Sequence, residues 1–209
     1  ALVETQKNNK GPISMLTVHS DDPRGFGRVI RNADGTVSAI VEEYVATAEQ
    51  LQVKELNVGG YCFDANWLWE ALHRIPKNPK KGEYYLTDTV ELASKDGLSV
   101  QATVMDDLEE TIGINTRVHL SECDTAMRRR INQQHMLNGV TMIDPASTYI
   151  EIGVTIGMDT VIMPNTYLHG KTEIGEGNLI GPNSIIRNSK IGNRWKVLAS
   201  DLEGAELDD

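Results

Sequence analysis

Apolar residues in the last third of the chain recur every six positions: Ile150, Ile156, Ile162, Leu168, Ile174, Ile180 and Ile186. Ile191, Val197, Leu202 and Leu207 then follow at steps of five or six. Four places after each apolar residue stands a small or polar one: Val154, Thr160, Thr166, Thr172, Asn178, Ser184. A helix repeats at 3.6 and a strand at two, so neither accounts for a period of six. The period fits a parallel β-helix with one hexapeptide per flat face and three faces per coil. The apolar residue points into the prism. A glycine follows it at Gly157, Gly175, Gly181 and Gly192, where it allows a tight corner. An irregular β domain is the alternative, and seven positions in register argue against it.

Before residue 145 the pattern changes to strands and helices in alternation, which predicts an α/β sheet. Ile13–Val18 reads as a strand, after Ala1–Lys7, which reads as lying inside a helix. Arg28–Arg31 and Val37–Val41 flank Asp34-Gly35, a hairpin signal. Leu56–Phe63 reads as a strand whose two glycines mark a bulge. Ala65–Ile75 is helical by spacing and stops at Pro76. Thr87 is placed to cap a helix over Asp88–Lys95, closed by Gly97. Val100–Val104 alternates like a strand, and Thr116 to about Asn138 reads as a long polar helix closed by Gly139. The expected domains are therefore 1–115 (α/β), 116–144 (linker helix) and 145–209 (about three coils of β-helix, truncated).

Composition adds exclusions. Lys plus Arg is 20 against Asp plus Glu 30, a net charge of −10, whereas a nucleic-acid binder usually carries a basic face. Aromatics are 5% of residues, in keeping with a narrow prism filled by aliphatic side chains. Cys62 and Cys123 form no disulfide or zinc pattern, which favours a reducing compartment. No apolar run is long enough for a membrane span. Both chain ends look cut, so a piece of a longer protein is expected.

Specific motifs carry a family resemblance. They are Phe26-Gly27-Arg28-Val29, Ile40-Val41-Glu42-Glu43 with Ala46-Thr47, Glu55-Leu56-Asn57 with Gly59, Gly82-Glu83-Tyr84-Tyr85-Leu86-Thr87-Asp88, and Gly113-Ile114-Asn115-Thr116-Arg117. Leu137–Pro145 resembles the family's junction into a β-helix. Together they resemble the bacterial bifunctional enzymes that are UDP-N-acetylglucosamine pyrophosphorylase and glucosamine-1-phosphate N-acetyltransferase. The resemblance implies part of a Rossmann-like nucleotidyltransferase domain followed by a left-handed parallel β-helix. It implies uridylyl transfer from UTP to N-acetylglucosamine 1-phosphate, with Mg²⁺ screening the phosphates. It implies UDP-N-acetylglucosamine as product, a homotrimeric parent that also acetylates glucosamine 1-phosphate, a cytoplasmic location and a role in cell-envelope precursor supply.

Four positions carry over by resemblance. Gly27 would bring bare backbone against the sugar, Glu42 would accept from sugar donors, Asn57 would hydrogen-bond the sugar, and Asn115 would offer its amide oxygen to Mg²⁺. Each also has a plain structural reading: a turn glycine, a solvated strand-end charge, an amide satisfied by neighbouring backbone, and a helix N-cap. Arg128-Arg129-Arg130 reads as a solvated helix face or a phosphate patch, and His135 and His169 have no partner at metal-ligand spacing. The chain departs from the family at Phe26, at Tyr44-Val45 in place of Lys-Asp, and at Val58 in place of Thr. These changes leave the sugar less constrained than the reaction type. The family's Gly-rich phosphate loop, the Asp that completes its Mg²⁺ site and its acetyltransferase site have no counterpart in these residues. The chain is therefore expected to be the middle of such an enzyme, inactive by itself. A pyrophosphorylase for another sugar or nucleotide, and a non-catalytic β-helix assembly or regulatory subunit, are the alternatives.

Overall fold

The computed structural model describes residues 2–79 and 81–208, which form two compact units that divide between Gly113 and Ile114. Ala1, expected to lie inside the first helix, falls outside the described residues.

The first unit is a five-stranded sheet with three helices. Its strands are β1 (Ile13–His19), β2 (Arg28–Arg31), β3 (Val37–Val41), β4 (Glu55–Phe63) and β5 (Val100–Val104), in the order β3-β2-β4-β1-β5. Strand β1 runs parallel to β5 and antiparallel to β4, and β2 and β3 form the expected hairpin. Its helices are α1 (Leu2–Asn8), α2 (Ala65–Leu72) and α3 (Asp88–Lys95). The core gathers Ile13, Met15, Val29, Val37, Ile40, Val90, Ala93 and Val100, with Tyr61, Phe63 and Trp67 packed against it. Helix α2 stops at Leu72, three residues short of the expected Ile75. Asp64 caps its start by accepting from Trp67 N–H.

The bulge expected from the paired glycines is present. The β1–β4 register shifts between Met15 and Thr17, so Thr17 faces Asn57 while Met15 faces Tyr61. Gly59 sits there at φ +85°, a backbone conformation that a side chain would strain.

The second unit opens with α4 (Arg117–Leu137), capped by Thr116 and closed by Gly139 at φ +91°, in agreement with the sequence reading. Three parallel sheets follow. The first stacks β7 (Thr148–Ile150), β10 (Thr166–His169), β13 (Ile185–Arg187) and β16 (Asp201–Glu203). The second stacks β8 (Thr155–Ile156), β11 (Glu173–Ile174), β14 (Lys190–Ile191) and β17 (Glu206–Leu207). The third stacks β6 (Thr141–Met142), β9 (Val161–Ile162), β12 (Leu179–Ile180) and β15 (Lys196–Val197). This is the three-faced parallel β-helix of the hexapeptide repeat, and the α/β region precedes it, as expected.

Each face holds four strands, so the stack has about four turns and not three. The extra turn begins at β6, where Val140 and Met142 join the same core as Ile150 through Val197. The six-residue period hides it, because the tight turn Pro145–Ser147 separates Met142 from Ile150 by eight residues.

The small polar positions are buried with their partners. Thr160, Thr166, Thr172 and Ser184 are fully enclosed and Asn178 nearly so. Thr160 Oγ1 donates to Gly175 O at 2.9 Å and accepts from Asn178 N–H at 3.1 Å, which ties one coil to the next. The glycine reading needs correction. Gly157, Gly175 and Gly192 form a column in which a Cβ on Gly157 would lie 2.6 Å from Gly175 C, and one on Gly175 would lie 2.7 Å from Gly192 O. They are there for close approach between coils. Gly181 takes a left-handed conformation at φ +86°, as the corner reading expects, and other left-handed corners fall on columns such as Asp159, Gly177 and Arg194, or Asn165, Asn183 and Ala199. Asn and Asp tolerate that conformation better than other side chains, which is why these corners escaped a search for glycine.

Candidate functional site

Three of the four expected site residues meet at one side of the first unit. Gly27, just before β2, is buried, and its carbonyl accepts from Asn57 N–H at 2.9 Å. It is not a turn glycine. A Cβ there would lie 2.8 Å from Ile40 Cγ2 and 3.7 Å from Glu42 Oε1. A side chain there would press on Ile40, while the Glu42 carboxylate lies at ordinary contact distance.

Glu42 follows β3 and is half-buried. Its Oε1 accepts from Thr87 Oγ1 at 3.2 Å. Thr87 stands at the start of α3 but makes no side-chain cap there, because its own backbone is already helical (φ −58°, ψ −26°) and a capping residue needs an extended one.

Asn57 is half-buried on β4, beside the bulge. Its Oδ1 accepts from Gly59 N–H at 3.1 Å and from the Tyr61 hydroxyl at 2.8 Å. Tyr61 was read from the sequence only as part of a strand. Burial pushes its phenol up to about 12, and the Glu42 charge adds to it. The Asp88 carboxyl is likewise held above its ordinary range, by burial first and then by Glu91 and Glu42. The corner is thus acidic, and Arg28, buried alongside, is turned away into contact with Glu43 at 3.0 Å and with Phe26 O.

The departure at Tyr44 builds something new. Its hydroxyl bonds the Tyr85 hydroxyl at 3.1 Å and accepts from Asn78 Nδ2 at 3.1 Å, and Lys81 Nζ stands 4.5 Å from its ring centre. The turn after Glu42 is thereby tied to the 78–85 loop that leads to Thr87. Tyr84 and Val45 stay exposed beside this tether.

Asn115 falls in the second unit. It is exposed and is not the helix cap, since Thr116 accepts from His119 N–H at 3.2 Å and so caps α4. Its own backbone N–H reaches His119 Nδ1 at 3.4 Å. Mg²⁺ is usually held by one or two carboxylates and completes its shell with phosphates and water; Asn115 offers an exposed amide and no carboxylate. Among the described residues no group of three or more His, Cys, Asp or Glu is gathered to hold a metal.

Two concavities are lined by other residues. One in the first unit, about 590 Å³, is lined by Lys7, Lys10, Phe63, Asp64 and Trp67 among others, at the opposite end of β4 from Asn57. One in the second, about 310 Å³, is lined by Arg128, Tyr149, Glu151 and His169 among others. There Arg128 stands 4.3 Å over the Tyr149 ring, so this arginine of the basic triplet is packed and not simply solvated. His169 Nδ1 pairs with Glu151 at 3.0 Å, and burial lowers the His135 value. No helix among the described residues is long and apolar enough to cross a membrane.

Residues 153–188 match the family model described as bacterial transferase hexapeptide (six repeats). The whole chain is similar to proteins named bifunctional protein GlmU. It is 46% identical over 209 residues to that of Geobacillus thermodenitrificans, covering 100% of this chain and 46% of the relative. It is 47% identical over 207 residues to that of Exiguobacterium sibiricum, covering 99% of this chain and 46% of the relative. It is 50% identical over 199 residues to that of Caldanaerobacter subterraneus subsp. tengcongensis, covering 95% of this chain and 43% of the relative. The chain therefore spans less than half the length of these curated relatives. They bear out the family resemblance read from the motifs.

Proposed function

We propose, from a similarity to bifunctional GlmU proteins that runs the whole length of the chain, that these residues are the sugar-binding side of a uridylyltransferase together with the first coils of its β-helix. The reaction joins UTP to N-acetylglucosamine 1-phosphate, giving UDP-N-acetylglucosamine and pyrophosphate. The observation that carries this reading is the meeting of Gly27, Glu42 and Asn57 at one acidic, half-buried corner. A bare backbone, a carboxylate acceptor and a fixed amide suit a polyhydroxylated, neutral ring.

Phosphoryl transfer of this kind asks little covalent help of the protein: positioning and charge neutralisation dominate. In this chain Glu42, braced by Thr87, would take up sugar O–H or N–H donors. Gly27 would let the ring approach its backbone. Asn57 would fix the ring's rotation. Asn115 would give its amide oxygen to Mg²⁺, which supplies charge neutralisation on the phosphates. We also propose that the parent acetylates glucosamine 1-phosphate, assembles as a homotrimer and works in the cytoplasm. The flat faces of the β-helix support the trimer as packing surfaces.

The test is titration of N-acetylglucosamine 1-phosphate and UDP-N-acetylglucosamine into the ¹⁵N-labelled chain. Saturable shifts centred on Gly27, Glu42 and Asn57 are expected, with no pyrophosphate released from UTP. Shifts scattered elsewhere, or equal binding of UDP-galactose, would overturn the sugar assignment.

A further inference from the structure

The two contacts at Asn57 Oδ1 settle which way its amide faces. Oxygen and nitrogen of an amide are ordinarily hard to tell apart, and the hydrogen-bond network must decide. Here the deciding partner is the backbone N–H of Gly59, at 3.1 Å. A backbone N–H can only donate, so the atom it meets must be the oxygen. The Tyr61 hydroxyl, 2.8 Å from the same atom, therefore donates as well. Both lone pairs of Oδ1 are occupied. Nδ2 makes no hydrogen bond among the described residues, on a half-buried side chain beside Gly27 and Glu42.

We propose that Asn57 meets its ligand as a hydrogen-bond donor, through Nδ2, and that Tyr61 is the positioning residue that holds it in that sense. The inference rests on the sugar-site reading above and sharpens it. The corner then offers Asn57 Nδ2 as a donor and the Glu42 carboxylate as an acceptor. Its ligand must present an oxygen acceptor to the first and an O–H or N–H donor to the second. A carboxylate or phosphate is excluded from the Glu42 position by like charge.

The test is the affinity of the full 209-residue chain for N-acetylglucosamine 1-phosphate, read by side-chain and backbone ¹⁵N shifts. Asn57→Asp is nearly isosteric. It keeps an oxygen for Gly59 N–H and for Tyr61 but turns the outward NH₂ into an anionic acceptor. A donor role predicts a loss of about tenfold or more in affinity. Tyr61→Phe removes only the hydroxyl and predicts a loss of about threefold to tenfold, with altered Asn57 Nδ2 resonances. A merely structural Tyr61 would weaken binding equally in both backgrounds. Positioning predicts that Tyr61→Phe has no further effect once Asn57 is Asp. Unchanged binding by Asn57→Asp, with the wild-type shifts still centred on Gly27 and Glu42, overturns the donor assignment and leaves the sugar site standing. Wild-type shifts absent from Gly27 and Glu42 overturn both.

Discussion

Thr160→Val sets two forces against each other inside the β-helix. The side chains have nearly the same shape, and Thr160 is fully buried. Burial alone favours valine, since a methyl in place of a hydroxyl adds about 1 kcal/mol of apolar transfer. Hydrogen bonding opposes it. The hydroxyl donates to Gly175 O at 2.9 Å and accepts from Asn178 N–H at 3.1 Å. Valine leaves a buried N–H without its acceptor, at a cost of about 1–3 kcal/mol, and removes a second bond worth about 1 kcal/mol. The methyl also stands inside van der Waals distance of both partners and must push them apart. The net expectation is a loss of about 2 kcal/mol. Thr166→Val is the matched control: its hydroxyl donates to Met163 O at 2.7 Å in an equally buried setting. It should cost less, by about the penalty of the orphaned N–H. Urea unfolding of both variants, with the slope checked for constancy, measures the difference. A Thr160→Val chain as stable as wild type would refute the argument that backbone-to-hydroxyl bonds hold the coils in register.

Gly175→Ala should destabilise the β-helix by more than about 2 kcal/mol, because its Cβ would stand 2.7 Å from Gly192 O and that backbone cannot yield cheaply; thermal unfolding reads it. Glu55, bonded to Arg31 at 2.7 Å and to Thr17 at 2.9 Å, should give the first unit part of its acid sensitivity. Burial alone would raise this carboxyl, but Arg31 and Thr17 outweigh it and hold the folded value below the ordinary one. Its contribution is therefore present above the unfolded value, about 4.3, and is lost as pH falls through the folded one, so Glu55→Gln should flatten the stability profile at the acid end. Spectrophotometric titration should find a phenol ionising at about 12 that disappears in Tyr61→Phe. Tyr44→Phe should raise proteolysis of the 78–85 loop, by releasing the hydroxyl contacts to Tyr85 and Asn78, with little change in global stability.

The parts of the fold legible from the sequence were those with a strong period. The hexapeptide register placed Ile162, Leu168, Ile180 and Ile186 at the centre of the prism, where they are fully buried. The turn at β6 escaped because Pro145–Ser147 interrupts that register. Corner chemistry was half legible: glycines were assigned to bends, yet at Gly157 and Gly175 the close approach of the next coil is what demands them. At the candidate site, resemblance located Gly27, Glu42 and Asn57 but not their supports. Thr87 carries a capping signal that its own helical backbone overrides, and its hydroxyl goes to Glu42. Tyr61 had no signal of its own, because its role depends on the bulge that sets it opposite Met15 and within reach of Asn57. Tertiary contacts of this kind leave no trace in local pattern.

The decisive measurement is the binding map of UDP-N-acetylglucosamine on the chain. Saturable shifts at Gly27, Glu42 and Asn57 are expected, all weakened together by Glu42→Gln. Binding that persists unchanged in that variant, or that centres on the Arg128–His169 concavity, would contradict it.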